Sequence, residues 1–461
     1  MGGEVTADAY PDFDILHPAV VNGTVVEASA GTGKTFSVAA FVARTIALND
    51  DIRISNFLVT TFTRNAAAEL RDRVRRRLVS LERQVRAGTA REDDPLAVSL
   101  VSLGDKDMAD RLARALREFD TATISTIHSV CARILTMAGL PAVGEGDEAD
   151  LARIIAEVVN DAVVKESMNG VEIDSSRLAS VVEKRLGSPL AVLEYEPYKK
   201  DTVKGKKEVL NAALEHLLEV VEQCVARVRE RTELEPTFDD MLRRAAELVA
   251  DASQVALTSA LRQRFRIAVI DEAQDTDKLQ WAIFRHIFDP DSTTHTLLAV
   301  GDPKQAIYRF RGADVEAYLS VRRDDRRLTL RKNWRSDSDL LVALNHLFQG
   351  WTFGEGIDYV AVTARDGAEG SAVSGTKPLR IIDLGAVGNK NRIVGPTARR
   401  VHEILETVTI TKDGATKKVT PGDICVLVTS RGTGAAVESA LRGLGISAVS
   451  SGTENVMKGE M

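Results

Sequence analysis

Gly23-Thr-Val-Val-Glu-Ala-Ser-Ala-Gly-Thr-Gly-Lys-Thr35 decides the fold of this chain. The β-branched run to Val26 predicts a buried strand, and a helix opens at Lys34. Between them lies a small-residue loop. Gly31 and Gly33 let the backbone curl so that successive N–H groups point at one place. The helix N-terminus adds partial positive charge there. This is the pattern of a phosphate-binding loop. Lys34 would reach the β- and γ-phosphates of a nucleoside triphosphate, and the Thr35 hydroxyl would ligate Mg²⁺. The expected nucleotide-binding residues are Ala28, Ser29, Ala30, Gly31, Thr32, Gly33, Lys34 and Thr35. Ala28 stands where the pattern usually has its first glycine. Taken alone, the loop also reads as a Gly-rich turn.

Such a loop needs an acidic partner at the end of a second buried strand. Ile267-Ala-Val-Ile270 is continuously apolar, as a parallel strand covered on both faces should be. It ends in Asp271 and Glu272. Asp271 would hold Mg²⁺, and Glu272 would polarise an attacking water. Gln274-Asp275-Thr276 follows and makes the string far more specific than an Asp-Glu pair.

At this point the chain resembles a superfamily 1 helicase of the UvrD/RecB group, most closely its RecB-type branch, the beta subunit of exodeoxyribonuclease V. Ordered segments carry the resemblance from about Phe13 onward. They are Glu27 to Thr35, Thr60-Thr-Phe-Thr-Arg-Asn-Ala-Ala-Ala-Glu-Leu-Arg71, Ser125-Thr-Ile-His-Ser129, Asp271 to Thr276, Gly301-Asp-Pro-Lys-Gln-Ala-Ile-Tyr-Arg-Phe-Arg-Gly-Ala-Asp314 and Asn333-Trp-Arg-Ser336. The resemblance implies an α/β P-loop NTPase: a RecA-like parallel-sheet core with a helical insertion, then an incomplete second RecA-like core. It implies ATP and Mg²⁺ as cofactors. It implies single-stranded and duplex DNA as partners, with RecC- and RecD-type subunits beside them. The implied activity is 3′-to-5′ ATP-dependent translocation and unwinding in double-strand-break repair and recombination.

Roles carry over residue by residue. Gln305 senses the γ-phosphate and couples hydrolysis to DNA. Arg335 crosses from the second core onto the γ-phosphate, and Trp334 stacks on adenine. Without the resemblance, Trp334 reads as ordinary core. Thr61, Phe62, Thr63, Thr126 and His128 become DNA contacts, although His128 alone reads as a core or turn histidine. Tyr308, Phe310 and Arg311 form an aromatic and cationic track, in which stacking contributes roughly 1–3 kcal/mol per base. Core packing is the other reading of the two aromatics; the resemblance favours stacking for Phe310 and leaves Tyr308 open. The family's adenine-reading glutamine should precede the loop, yet residues 13–23 contain no Gln. GTP or dATP use therefore stays open.

Composition sets outer bounds. With 461 residues the chain can bury several cores. At 44% hydrophobic and 28% charged it is ordinary for a soluble globular protein. Cys131, Cys224 and Cys425 lack zinc or iron–sulfur spacing, which fits a reducing, cytoplasmic setting. No apolar run reaches membrane-spanning length. The net charge of −7 opposes a generally basic nucleic-acid surface but leaves room for a basic channel. It predicts modest, salt-sensitive DNA affinity. The helix after Phe62 carries Arg71, Arg73, Arg75, Arg76 and Arg77, which read first as a solvated face. Lys204 and Lys206 with Lys207 read as a basic loop of the same kind.

The expected organisation is a first core over 1–136, a mainly helical insertion over 137–236, the core's return over 237–325, and a partial second core over 326–461. Within the last, 378–383 and 423–428 read as strands, and 397–408 and 434–444 as helices. Two later motor motifs and a nuclease-type carboxylate cluster are not found. The chain is accordingly expected to be an N-terminal portion of a longer helicase, or else a fragment that binds nucleotide and single-stranded DNA with weak turnover. A small-molecule kinase is the third P-loop possibility, and the Gly301 segment opposes it.

Overall fold

The computed structural model describes residues 10–18, 20–140, 148–186, 207–234, 238–289, 292–307, 315–322, 324–354, 356–367, 370–385, 390–412 and 415–450. The chain divides into two compact units, Met1–Leu330 and Arg331–Met461.

In the first unit, β1 (Thr24–Ala28), β2 (Phe57–Thr61), β3 (Thr123–Thr126), β4 (Ile267–Asp271), β5 (Thr296–Gly301) and β6 (Arg327–Leu330) form one sheet. Its order is β3-β2-β4-β5-β1-β6, and every pairing is parallel. The helices are α1 (Lys34–Leu48), α2 (Arg64–Ala87), α3 (Pro95–Ser102), α4 (Met108–Arg117), α5 (Ile127–Met137), α6 (Glu148–Met168), α7 (Ser175–Leu186), α8 (Lys207–Leu234), α9 (Phe238–Ala250), α10 (Val255–Arg264), α11 (Lys278–Ile287) and α12 (Val315–Val321). The strands are apolar throughout because both faces are covered. Val26, Val59, Val269 and Val300 join one core with α1 to α4. Their neighbours Val25, Leu58, Ala268 and Ala299 join the other with α5, α9, α10 and α11. Each fully buried aliphatic side chain contributes about 1.5–3 kcal/mol.

α2 shows how local chemistry sets an element's limits. Thr63 caps its start by accepting the Ala66 N–H at 3.1 Å. Ala67, Leu70, Val74, Leu78 and Leu81 make its buried stripe. Gly88, at φ 66°, ends it in the left-handed conformation. On its polar side Arg73 pairs with Glu69, Arg76 with Asp72, Arg77 with Asp94 and Arg71 with Asp120. Arg73, Arg75 and Arg76 are exposed, in keeping with a solvated face, whereas Arg77 is nearly buried with Asp94.

α6, α7 and α8 share a core of their own around Val158, Val182, Val221 and Val225. Met241 and Ala245 of α9 belong to the main core. The basic Tyr195–Lys206 stretch lies outside the described residues.

One boundary shifts. β6 lies beside β1 and buries Leu328, so the division falls after Leu330 and not at 325/326.

The second unit contains β7 (Lys332–Asn333), α13 (Ser338–Phe348), β8 (Thr363–Ala364), β9 (Val373–Ser374), α14 (Val394–Thr407), β10 (Thr409–Lys412), β11 (Ala415–Lys418) and α15 (Arg431–Gly443). β7 and β8 pair in parallel, and β9, β10 and β11 form an antiparallel sheet. The helices expected near 397–408 and 434–444 correspond to α14 and α15. The strands expected at 378–383 and 423–428 do not form. Ile424 and Val426 rest on the α14–α15 core, while Ile381 and Leu427 are exposed. The segments have strand-like composition, but no ladder partner is present among the described residues, and a strand exists only by pairing. Among the described residues, no helix is long and apolar enough to cross a membrane.

Candidate active site

Because every strand of the first sheet runs the same way, the loops after β1, β2, β3, β4 and β5 emerge at one carboxyl edge. β4, β5 and β1 are neighbours, so the phosphate loop, the Asp271–Glu272 pair and the Gly301 segment lie side by side. β2 and β3 carry Thr61–Thr63 and Thr126–His128 to the far end of the same edge.

The phosphate loop is held open by backbone conformation. Gly31 and Gly33 sit at φ 82° and 88°, which only glycine adopts cheaply. Thr32 closes the turn, its buried hydroxyl donating to the Ser29 carbonyl at 2.8 Å. α1 has no side-chain cap, leaving its first N–H groups to an anion. Thr35 lies in that first turn. Ala28 is the buried last residue of β1 and does not have positive φ, so glycine is not required there.

Lys34 donates to Glu272 Oε2 at 2.9 Å, joining positions 238 residues apart. The lysine side chain is nearly buried; the glutamate is about one-third exposed. Glu272 has φ 53°, the only positive φ at a non-glycine among the described residues. Such backbone strain is held in place by surrounding structure and is frequent at functional sites. Asp271 is buried and accepts the Glu272 N–H at 3.0 Å. Burial, and then the neighbouring Glu272 charge, push its carboxyl up to about 6 against the opposing pull of Lys34. The same two causes push Asp275 up to about 6.

Gln305 donates to Asp302 Oδ2 at 2.6 Å, and Lys304 pairs with Asp302 Oδ1 at 2.8 Å. Gln274, almost fully buried, bridges the two loops: it donates to Glu272 and accepts the Asp302 N–H. Sequence inspection assigned no role to Gln274 or Asp302. The signal was a polar amide inside an otherwise closed-off string, next to a glycine at a strand end. Glu27 was missed likewise. This buried carboxylate, just before the loop, pairs with Arg322 at 3.0 Å and with Arg327. Tyr10 stacks on Arg327.

The expected DNA residues divide by exposure. Thr61 and Thr126 are buried, so their side chains offer little surface. The hydroxyls of Thr60 and Thr61 have no hydrogen-bond partner among the described residues. Phe62 is half-buried and Thr63 exposed. His128 is half-buried in the first turn of α5; burial, and then Arg64, lower its pKa and favour the neutral ring. Tyr308, Phe310 and Arg311 lie outside the described residues. Trp334 and Arg335 belong to the second unit. Trp334 is 60% exposed, which sets aside its core reading. Asn333 shapes that turn, its Oδ1 accepting the N–H groups of Arg335 and Ser336 at 2.9 Å.

Among the described residues, no cluster of three or more metal-ligating side chains exists. A buried carboxylate near a helix-start threonine is nevertheless a fitting donor set for Mg²⁺. That ion is commonly held by one or two carboxylates, with substrate phosphates and water completing the shell.

Residues 15–325 match the UvrD/REP helicase N-terminal domain. The chain is 32% identical to the RecBCD enzyme subunit RecB of Mycobacterium tuberculosis, over 96% of this chain and 42% of that relative. It is 31% identical to the RecB subunit of Mycolicibacterium smegmatis, over 97% and 42%. For the Escherichia coli RecB subunit the identity is 29%, over 74% and 39%. The chain thus spans less than half the length of each relative. With β1 to β5, the phosphate loop and the paired carboxylates all inside the matched region, the chain belongs to the UvrD/REP helicase family.

Proposed function

We propose that this chain carries the ATP-binding motor part of a RecB-type DNA helicase and translocase acting in double-strand-break repair. The observation that carries the reading is the hydrogen-bonded line from Lys34 through Glu272 and Gln274 to Asp302 and Gln305. That line joins the phosphate loop to the strand end that carries the Gly301 segment.

The residues divide the work. Loop N–H groups and Lys34 bind the triphosphate. Lys34 leaves Glu272 to do so, which frees that carboxylate to orient and polarise water for in-line attack. Thr35 and Asp271 would hold Mg²⁺, which neutralises phosphate charge when bound. Gln305 reports the γ-phosphate. Arg335 and Trp334 would approach from the second unit, the first on the γ-phosphate and the second on the base. Phe62, Thr63, His128, Tyr308, Phe310 and Arg311 would meet single-stranded DNA, with 3′-to-5′ movement. RecC- and RecD-type chains are the proposed partners, because the relatives are named as RecBCD subunits.

A second reading is a fragment that binds nucleotide and DNA with little turnover. The segments at 378–383 and 424–428, which form no strand, favour it. Steady-state ATP hydrolysis with and without single-stranded DNA decides, beside Lys34→Ala and Glu272→Gln. DNA-stimulated turnover lost in both variants supports the motor. Binding without turnover supports the fragment. ATP binding unaltered by Lys34→Ala removes both.

A further inference from the structure

We propose that Gln274 is a positioning residue that links the hydrolytic carboxylate Glu272 to the Gln305 segment, so that nucleotide and single-stranded DNA affect each other's binding through it. The inference rests on the functional reading above and names the residue through which the two ends communicate.

Gln274 is 1% exposed, and its amide is used on both sides. Oε1 accepts the Asp302 N–H at 2.8 Å. Nε2 donates to Glu272 Oε2 at 2.9 Å and to Asp275 Oδ2 at 3.3 Å. A backbone N–H can only donate, so the amide orientation is determined by chemistry. A carboxamide presents an acceptor and a donor from one planar group; an ionised Glu, Met and Leu each lose at least one side. The fit is close as well. A Cβ at Gly301 would lie 2.7 Å from Gln274 Oε1, so the β5 end must be glycine for the amide to reach its partner.

The two ends belong to different working parts. Glu272 holds Lys34, so a phosphate that draws Lys34 away changes what the Gln274 amide must satisfy. Asp302 is 2% exposed and holds both Lys304 and Gln305. Movement of the Gly301–Gln305 turn therefore pulls on the same amide from the opposite side. Buried polar links of this kind resist partial rearrangement, because each unpaired member pays its full desolvation cost. A merely structural glutamine would stabilise the turn without tying the two affinities together.

The test reads linkage and needs no turnover. A fluorescent, slowly hydrolysed ATP analogue with Mg²⁺ is titrated into the full 461-residue chain, with and without saturating oligo-dT. In the wild type, oligo-dT should change analogue affinity by a factor between about 5 and 150. Gln274→Met, which removes both hydrogen bonds, should bring that factor close to one while both ligands still bind. Gln274→Glu keeps an acceptor for the Asp302 N–H but loses the donor to Glu272, and should do the same. Thermal unfolding establishes that each variant is folded. If Met does not fold, Glu carries the test; if neither folds, the residue is structural and the proposal falls. It also falls if a folded variant keeps the wild-type factor, or if the wild-type factor is one. Wild-type analogue binding that is absent, or indifferent to Lys34→Ala, instead overturns the functional reading beneath it.

Discussion

Glu272→Gln should tighten nucleotide binding while slowing hydrolysis. Lys34 Nζ lies 2.9 Å from Glu272 Oε2, so a phosphate competes with that carboxylate for the lysine. At an effective dielectric of about 20, two unit charges at this distance attract by about 6 kcal/mol before solvation is counted. Water offsets most of this, because the Glu272 side chain is 36% exposed. A net of about 0.5–1 kcal/mol is in range for a partly exposed pair with good geometry. Removing it should tighten binding roughly 2–5-fold, with Gln no longer holding Lys34 by charge. Loss of the water-polarising carboxylate should lower turnover by roughly 10²–10⁴. The assay is equilibrium titration of a slowly hydrolysed analogue into wild type, Glu272→Gln, Lys34→Ala and the double variant. The gain should shrink when Lys34 is already absent, leaving only relief of repulsion between Glu272 and the phosphates. A gain of equal size in both backgrounds would show that Lys34 was never sequestered. Weaker binding by Glu272→Gln would refute the reasoning outright.

Glu27→Gln should cost the first unit about 3–5 kcal/mol, because it leaves buried Arg327 and nearly buried Arg322 without their carboxylate. Urea unfolding measures this, and a cost below about 1 kcal/mol would mean that solvent already screens the cluster. Asp271 and Asp275, both held at about 6 against an unfolded value of 3.8, bind protons in the folded state that the unfolded chain has released. Stability of the ligand-free protein should therefore rise as pH falls from 7 through 6 toward 4, and be lost again as pH rises. Mg²⁺–nucleotide affinity should fall over the same acidification; urea midpoints at the two ends of that range that do not differ, or that differ in the other direction, contradict this. Trp334→Ala should weaken ATP by roughly 1–3 kcal/mol, by analogy with base stacking, yet leave inorganic tripolyphosphate unchanged. Equal losses for both ligands would deny Trp334 a role at the base.

Much of the nucleotide end was legible in the sequence, because its determinants are local. Gly31 and Gly33 declare a curled phosphate-binding backbone, and Ile267 to Ile270 declare a strand covered on both faces. These follow from backbone sterics and burial within a few residues. The segments at 378–383 and 424–428, which form no strand, show the limit of such reasoning. Their composition is strand-like, but pairing requires another stretch of chain at the right place.

The sequence by itself determined the phosphate loop, the carboxylate pair, the helix and strand punctuation of the first unit, and the family. Tertiary structure alone decided which of those parts touch. Sheet order set β4 beside β5 and β5 beside β1, and that adjacency put Lys34 on Glu272, Gln274 between two loops, and Glu27 between two arginines. It also placed β6 in the first sheet. These contacts join residues from 28 to 300 positions apart. They depend on which strands become neighbours, and no short window of sequence carries that information.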